Sequence, residues 1–511
     1  MSAKIWFALG FFALFLTGCT LVEAPTAQPV VLSVLYNQRV AQPFQADWLI
    51  LDEYAKRQNV VLDVRTGDDA DYEKALIQAL ESEDIPDIIL KVWPETVKGY
   101  AASGILLPFS DYEQQMPYFM AYIQQHNLQE DLDKLRLNNG KYYVLPGYRR
   151  QIQVQQWIYR QDVFEEQHLA MPTTYDELFD ALVVLKKAYP DSTPLTTLWG
   201  GAHLFAMMGA GYGIPSGWAG TRDFDPEADL WRYAPATDEY REMVRFLNRC
   251  YEADVLDHES LTQTDDEFTS KITDGRAFVT VTWITSGFKN WDDLLAENGV
   301  PNGKWAPLPV PASTIGLRAL PPVDPFRKGL VVSSSVVNKP YFEKLLTFLD
   351  WAVYSDEGMA LTTWGVEGVT FEQTPTSKAF LSNPTGQTET GEAVDFTKVY
   401  GLDTMFNLNE NEEFEDFKKP PEIVAFLQRS LDAEDAAPID PQLNLDSSAI
   451  EAVGLLSERL DPYAAESMGQ FITGALDIEA DWDAYQLGLE KRGYKTLEEI
   501  WNTAWVAQTK P

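Results

Sequence analysis

The sequence predicts an α/β protein of two lobes. From residue 30 to residue 90, short β-rich runs alternate with amphipathic helical runs, the pattern of right-handed βαβ crossovers feeding a mainly parallel sheet covered on both faces. A folded length of roughly 480 residues exceeds one typical domain, so a second lobe is expected. The 45% hydrophobic and 13% aromatic content is enough to fill two cores, which argues against disorder.

Ahead of the fold lies a short apolar leader. Lys4 precedes an almost wholly apolar run over residues 5–16, which closes on Leu16-Thr17-Gly18-Cys19. That is the grammar of a bacterial export signal, and the run falls short of the roughly 20 apolar residues that cross a bilayer. Its last four residues resemble a lipobox. Residues 1–18 are therefore expected to be removed, Cys19 to carry lipid, and 19–29, mostly small or polar with proline, to serve as a tether.

Strands are expected at 30–36 (VVLSVLY), 60–64 (VVLDV) and 87–90 (DIIL). The helix after the first carries Trp48, Leu49, Leu51, Tyr54 and Ala55, and the next carries Tyr72, Ala75, Leu76, Ala79 and Leu80 at core spacing. Asn139-Gly140 marks a hairpin-type turn, and a strand over 152–159 follows Pro146-Gly147. Thr174-Tyr175-Asp176-Glu177 reads as a capping box for a helix through Leu178, Leu182 and Leu185, which Pro190 stops. Residues 199–220 are glycine-rich, a composition that allows close backbone approach near a ligand. Helices are expected at 240–251 and through Phe342, Leu346 and Val353, with strands at 277–283 and 329–333. The chain beyond Gly365 reads as helical, ending in a helix capped at Thr496-Leu497-Glu498-Glu499.

Charge and chemistry narrow the functions. With 77 acids against 40 bases the net charge is −37, which repels phosphate backbones and excludes nucleic acid as the partner. Of the two cysteines, Cys250 has no partner once Cys19 is lipidated. Its helical-face neighbours Met243, Phe246 and Leu247 make it a buried, inert thiol. The four histidines His126, His168, His203 and His258 are isolated, and no H-E-x-x-H, G-x-S-x-G or phosphate-loop motif occurs, so no cofactor, metal or catalytic residue is expected. In the acid run Asp477, Glu479, Asp481 and Asp483, Trp482 stands where an EF-hand needs its turning glycine. Those acids fit a helix N-terminus.

A series of segments, in a shared order, resembles the bacterial extracellular solute-binding lipoproteins of ABC importers (family 1, carbohydrate-associated). They are Ile85-Pro86-Asp87; Asn139-Gly140-Lys141-Tyr142-Tyr143; Ile158-Tyr159-Arg160-Gln161-Asp162; Pro172 to Leu178; Asp274-Gly275-Arg276-Ala277 leading to Trp283; Asp350-Trp351; Trp364-Gly365-Val366-Glu367-Gly368; and Phe471-Ile472-Thr473-Gly474 before Trp482. The resemblance implies a two-lobed periplasmic-binding-protein-like fold of type II, each lobe a mainly parallel sheet flanked by helices, with extra C-terminal helices. It divides the chain into lobe one at 30–147 plus 328–366 and lobe two at 148–327 plus 367–511. It further implies a monomeric, non-catalytic receptor, anchored through Cys19 outside the cytoplasm, that closes on a sugar or oligosaccharide and presents it to an ABC permease. The place of the calcium loop of larger members reads Tyr189-Pro190-Asp191-Ser192-Thr193-Pro194, without the oxygen-ligand spacing such a loop requires.

Sugar rings pack their C–H faces on indoles and phenols and need polar groups around the rim. Trp93 lies just past the third strand, where open α/β sheets place ligands. Trp283 ends a strand and corresponds to a sugar-stacking position in the resembled family. Trp218 occupies the glycine-rich loop, and Trp364 and Glu367 flank an expected lobe crossing. Tyr148, Arg149 and Arg150 sit at the first crossing, where an arginine, Arg149 above all, can clamp hydroxyls or a carboxylate bidentately. Asn37 ends the first strand, while Trp157 and Trp305 are expected in the core. Three other readings share this composition: the same scaffold holding a peptide, polyamine or other nutrient, an adhesive or sensory lipoprotein without a permease, and an extracellular glycoside hydrolase using two of the many acids.

Overall fold

The computed structural model describes residues 28–510 apart from 41, 102, 138, 151–152, 216–221, 285–287, 316–317, 327, 375–377, 382–394, 418, 433–436 and 438–439. Cys19 and Trp218 lie outside the described residues. The first sheet has four strands, in the spatial order Val60–Asp68, Val30–Gln38, Ile88–Val92, Gly329–Val332. The first three run parallel, linked by the helices Leu49–Gln58 and Tyr72–Leu80, and Gly329–Val332 runs antiparallel at the edge. Side chains alternate across the pleat. Leu32, Val34, Tyr36, Ile88 and Leu90 enter one core, whereas Leu35, Ile89 and Val331 enter a second on the opposite face.

The second sheet departs from the expected parallel arrangement. Gln155–Arg160 lies between Val279–Trp283 and Trp305–Pro307 and is antiparallel to both. The strand that arrives from the crossing runs against its neighbours, and parallel pairing in this half takes the form of single bridges, from Leu195 to Leu256 and Val279 and from Thr174 to Ala312. Helices Tyr175–Ala188, Ala202–Gly211 and Asp238–Glu252 pack on this sheet, joined by the C-terminal helices Ser447–Ile472, Trp482–Arg492 and Tyr494–Thr509. Cys250 is fully buried in that core, and burial pushes its thiol pKa up. Trp157 and Trp305 are buried as well.

Caps account for several helix boundaries. The Thr174 hydroxyl accepts from the Glu177 N–H at 3.1 Å, while the Glu177 carboxylate reaches one residue further than a capping box, to the Thr173 N–H at 2.7 Å. The last helix starts at Tyr494, because Gly493 at φ 98° ends the preceding one. Thr496 therefore lies inside the helix rather than capping it. Asp477 accepts from the N–H groups of Glu479 and Ala480, both at 2.8 Å, so the C-terminal acid run shapes the turn before Trp482–Arg492. Among the described residues no group of three His, Cys, Asp or Glu side chains is placed to hold a metal, and no helix is long and apolar enough to cross a membrane.

Among the described residues, three passages of chain join the two halves. Leu145 and Leu330 exchange backbone hydrogen bonds of 2.9 and 3.0 Å, and Tyr148 pairs antiparallel with Phe326. The third passage comes later than the sequence suggests. Met405, Phe406 and Leu408, expected in lobe two, pack in the core of the first sheet, and the chain returns to the second sheet with Ile423, Phe426 and Leu427. This segment carries no periodic signal and is fixed by side-chain anchors. The Tyr148 N–H donates to Asn409 Oδ1 at 2.9 Å, and the Asn409 amide donates to the Val353 carbonyl at 2.7 Å. Where the passages meet, a Cβ on Gly147 would stand 2.5 Å from the Leu408 carbonyl oxygen and 2.8 Å from that of Lys328, so only glycine fits.

Candidate functional site

A cavity of about 800 Å³ opens between the two sheets beside these passages. Its first wall is Trp93, Pro94 and Val97, where the Ile88–Val92 strand turns into the Pro94–Ala101 helix, together with Tyr143 and Val144. Its floor is Gln153, Val154 and Gln155 against Pro322, Val323, Asp324 and Phe326, the residues of the first two passages. The opposite wall is Trp283, the last residue of its strand, with Arg222 and Trp231. Leu443, Val453, Ser457, Asp461 and Trp501 of the C-terminal region complete it.

Trp93 and Trp283 therefore face one cavity from opposite halves, and they are 43% and 44% exposed. Lys328, on the second passage, holds its ammonium 5.2 Å from the Trp93 ring centroid. The polar lining is largely tied within the protein. Asp131 and Lys134 pair at 2.7 Å, Asp324 accepts from the Phe326 N–H at 2.8 Å, and Arg222 lies 4.7 Å from the Trp231 ring centroid. Asp461 accepts from the Tyr233 hydroxyl at 2.9 Å, and burial raises its carboxyl pKa. Such a lining can stack on ring faces and hydrogen-bond hydroxyls while presenting little unpaired charge.

The structure distributes the other expected site residues elsewhere. Trp364 is wholly buried, packed on Phe371, Phe380 and Phe414 with centroids 6.0, 5.0 and 5.4 Å away, because the chain folds the 371–380 hairpin over it. Glu367 is exposed on the turn into that hairpin and does not line the cavity. Tyr148 turns toward the first core, 4.9 Å from the His126 ring. Arg149 projects to solvent, while its backbone N–H donates to the Pro325 carbonyl at 2.9 Å. The neighbouring Arg150 makes the bidentate contacts instead, to Glu410 and Asp416 at 2.7 Å each, so it ties the third passage to the first. Asn37 is buried near the end of its strand, its Oδ1 without a hydrogen-bond partner among the described residues, and it does not line the cavity.

Sequence reasoning missed the contribution of the C-terminal helices. Asp461 and Trp501 sit on helices whose buried residues form one stripe each (Leu456, Leu460 and Ala464; Leu497, Trp501 and Trp505), a spacing that reads as packing on a core and does not single out a ligand-facing residue. It also missed Trp199. This residue adopts φ 53°, followed by Gly200 at 63° and Gly201 at 87°, and lies 5.2 Å from Trp283 between ring centroids. The glycines were a visible signal; the left-handed tryptophan was not.

Two α/β halves joined by three passages, with an aromatic-walled cavity between them, define the class of two-lobed ligand-binding proteins. Residues 50–323 match the model of the bacterial extracellular solute-binding protein family, and the chain belongs to that family. It is a family of extracytoplasmic binding proteins. Comparison with curated protein sequences gives no match. Among solved structures, the alginate-binding protein AlgQ2 without calcium ion is 18% identical with a TM-score of 0.73, covering 94% of this chain and 98% of that one. An HMO-binding, ABC-transporter-associated solute-binding protein from Bifidobacterium longum infantis is 16% identical with a TM-score of 0.73, covering 94% and 100%. The substrate-binding protein FusA of a Streptococcus pneumoniae ABC transporter, in complex with kestose, is 18% identical with a TM-score of 0.71, covering 94% and 99%.

Proposed function

We propose that this protein is a non-catalytic receptor of an ABC importer that captures a sugar or oligosaccharide in the cleft between its lobes. The observation that carries the proposal is the pair Trp93 and Trp283, offered to one cavity of about 800 Å³ by opposite halves of the molecule. Indole faces match the apolar faces of sugar rings, and the amide and carboxylate groups of Gln153, Gln155 and Asp324 are suited to hydroxyls. The kestose complex of FusA and the HMO-binding relative support a carbohydrate ligand on this fold. Lobe one then comprises 30–147 and 328–366 with the 395–409 segment added, and lobe two the rest of the folded chain.

A ligand that contacts both walls favours the closed state, and closure lets a permease distinguish loaded from empty receptor. The receptor acts as a monomer outside the cytoplasm, anchored to the cell membrane by lipid on Cys19. Membrane fractionation tests that tether: a Cys19→Ala chain attached like the wild type contradicts it.

The test of the function is a thermal-shift screen of the purified protein against neutral mono- to pentasaccharides, uronates, peptides and polyamines, since a ligand selective for the native state raises Tm. A rise of several degrees with a neutral sugar, and recovery of that sugar uncleaved, is the expected result. Response only to peptides or polyamines, or release of new reducing ends, overturns it.

A further inference from the structure

Beside the main cavity, Trp283 also belongs to an aromatic corner with Trp199 and His203, two residues that the function above does not use. Leu195 bridges in parallel to Val279, so the segment leading to Trp199 and the Val279–Trp283 strand run in the same direction. Trp199 and Trp283 consequently emerge together from the end of the sheet at which open α/β folds bind ligands. Their ring centroids are 5.2 Å apart and their planes are inclined by 61°. His203, buried behind them, meets both rings edge-on at 4.7 and 4.4 Å and wedges that angle open. The Trp199 indole N–H donates to Asp265 Oδ1 at 3.1 Å, which fixes one edge of the ring and leaves it 48% exposed.

The backbone adds an independent observation. Trp199 holds a left-handed conformation at φ 53°, a genuine outlier for so bulky a residue. Strain of this kind clusters at ligand clamps and persists only where the surroundings enforce it. Trp283 lines the main cavity and Trp199 does not, so the shared indole connects the corner to the cavity.

We infer that Trp199, Trp283 and His203 form an outer subsite, in which Trp199 stacks the sugar unit adjoining the one bound against Trp283. This rests on the carbohydrate reading of the cleft, and it assigns the ligand to chains of two or more units. An indole pair inclined by 61° suits two successive rings, because a glycosidic linkage turns one ring relative to the next. His203 positions the rings and Asp265 anchors one of them.

The test is calorimetric titration of the full chain with neutral glucose, galactose, mannose and fructose oligosaccharides of one to five units. In the wild type, affinity rises from the single unit to longer chains. Trp199→Ala removes that rise, lowering affinity for the longer chains about tenfold while leaving the single unit within about twofold. Trp199→Phe, which keeps a ring in place, retains most of the rise and guards against a folding defect in the alanine variant. Trp283→Ala weakens every length. Trp199→Ala titrating like the wild type, or weakening all lengths equally, overturns the outer subsite while leaving the cleft reading intact if Trp283→Ala still impairs binding. Binding by none of these sugars, or full binding by Trp283→Ala, overturns the cleft reading itself.

Discussion

His203 is buried behind two indoles, and desolvation holds its imidazole pKa below the ordinary value of 6.5. The unfolded chain therefore binds a proton near pH 6.5 that the folded chain refuses, and stability is lost as the pH falls below that value. His203→Gln should flatten the dependence of Tm on pH between 6.5 and 5 relative to the wild type, and parallel curves would show that the imidazole does not contribute. At the same corner, Trp199 carries a backbone strain of about 1–3 kcal/mol. Edge contacts to Trp283 and His203, each worth about 0.5–1.5 kcal/mol, and the hydrogen bond to Asp265 offset it without any ligand. Chemically identical residues meet different fates here. Trp283 ends a strand and stays open to the cavity, whereas Trp364 ends a helix and disappears beneath Phe371, Phe380 and Phe414. Its place beside an expected lobe crossing marks Trp364 for the site, but the partners that bury it are set by tertiary folding and leave no local mark.

Among elements, the three passages matter most. Gly147 touches the carbonyls of both other passages, so Gly147→Ala forces backbone to move at the junction, at a cost of about 1–3 kcal/mol. Thermal denaturation should show a Tm lowered by a few degrees, while Gly99→Ala, with open space around its new Cβ, should leave Tm unchanged or slightly raised. An unchanged Tm for Gly147→Ala would mean that the passages are slack. The strands and helices of the first sheet were legible because alternation and helical spacing coincide with burial on both faces, as at Leu32, Val34 and Leu35. The antiparallel second sheet was not, since the residue pattern of Gln155–Arg160 fits either direction of pairing. The third passage escaped for a different reason. Asn409 and Arg150 fix it through contacts more than 250 residues apart in sequence with Tyr148, Glu410 and Asp416.

For the whole molecule, the order of family-like segments made the two-lobed fold readable, while the cleft was readable only where it is built from strand ends. Trp93 and Trp283 could be placed by that rule; the wall contributed by Asp461 and Trp501 depends on how the C-terminal helices dock on the second core. The net charge of −37 comes from acids dispersed along the chain, and inside the cleft Asp131 is met by Lys134, Asp324 by the Phe326 N–H and Asp461 by the Tyr233 hydroxyl, which suits an uncharged ligand. A sugar held by both Trp93 and Trp283 must draw the halves together about the three passages. Small-angle scattering of the full chain, with and without a saturating neutral oligosaccharide that binds by calorimetry, measures this directly. A smaller radius of gyration is expected in the bound form, with loss of that contraction in Trp93→Ala. Superimposable scattering curves from a protein shown to be saturated would contradict it.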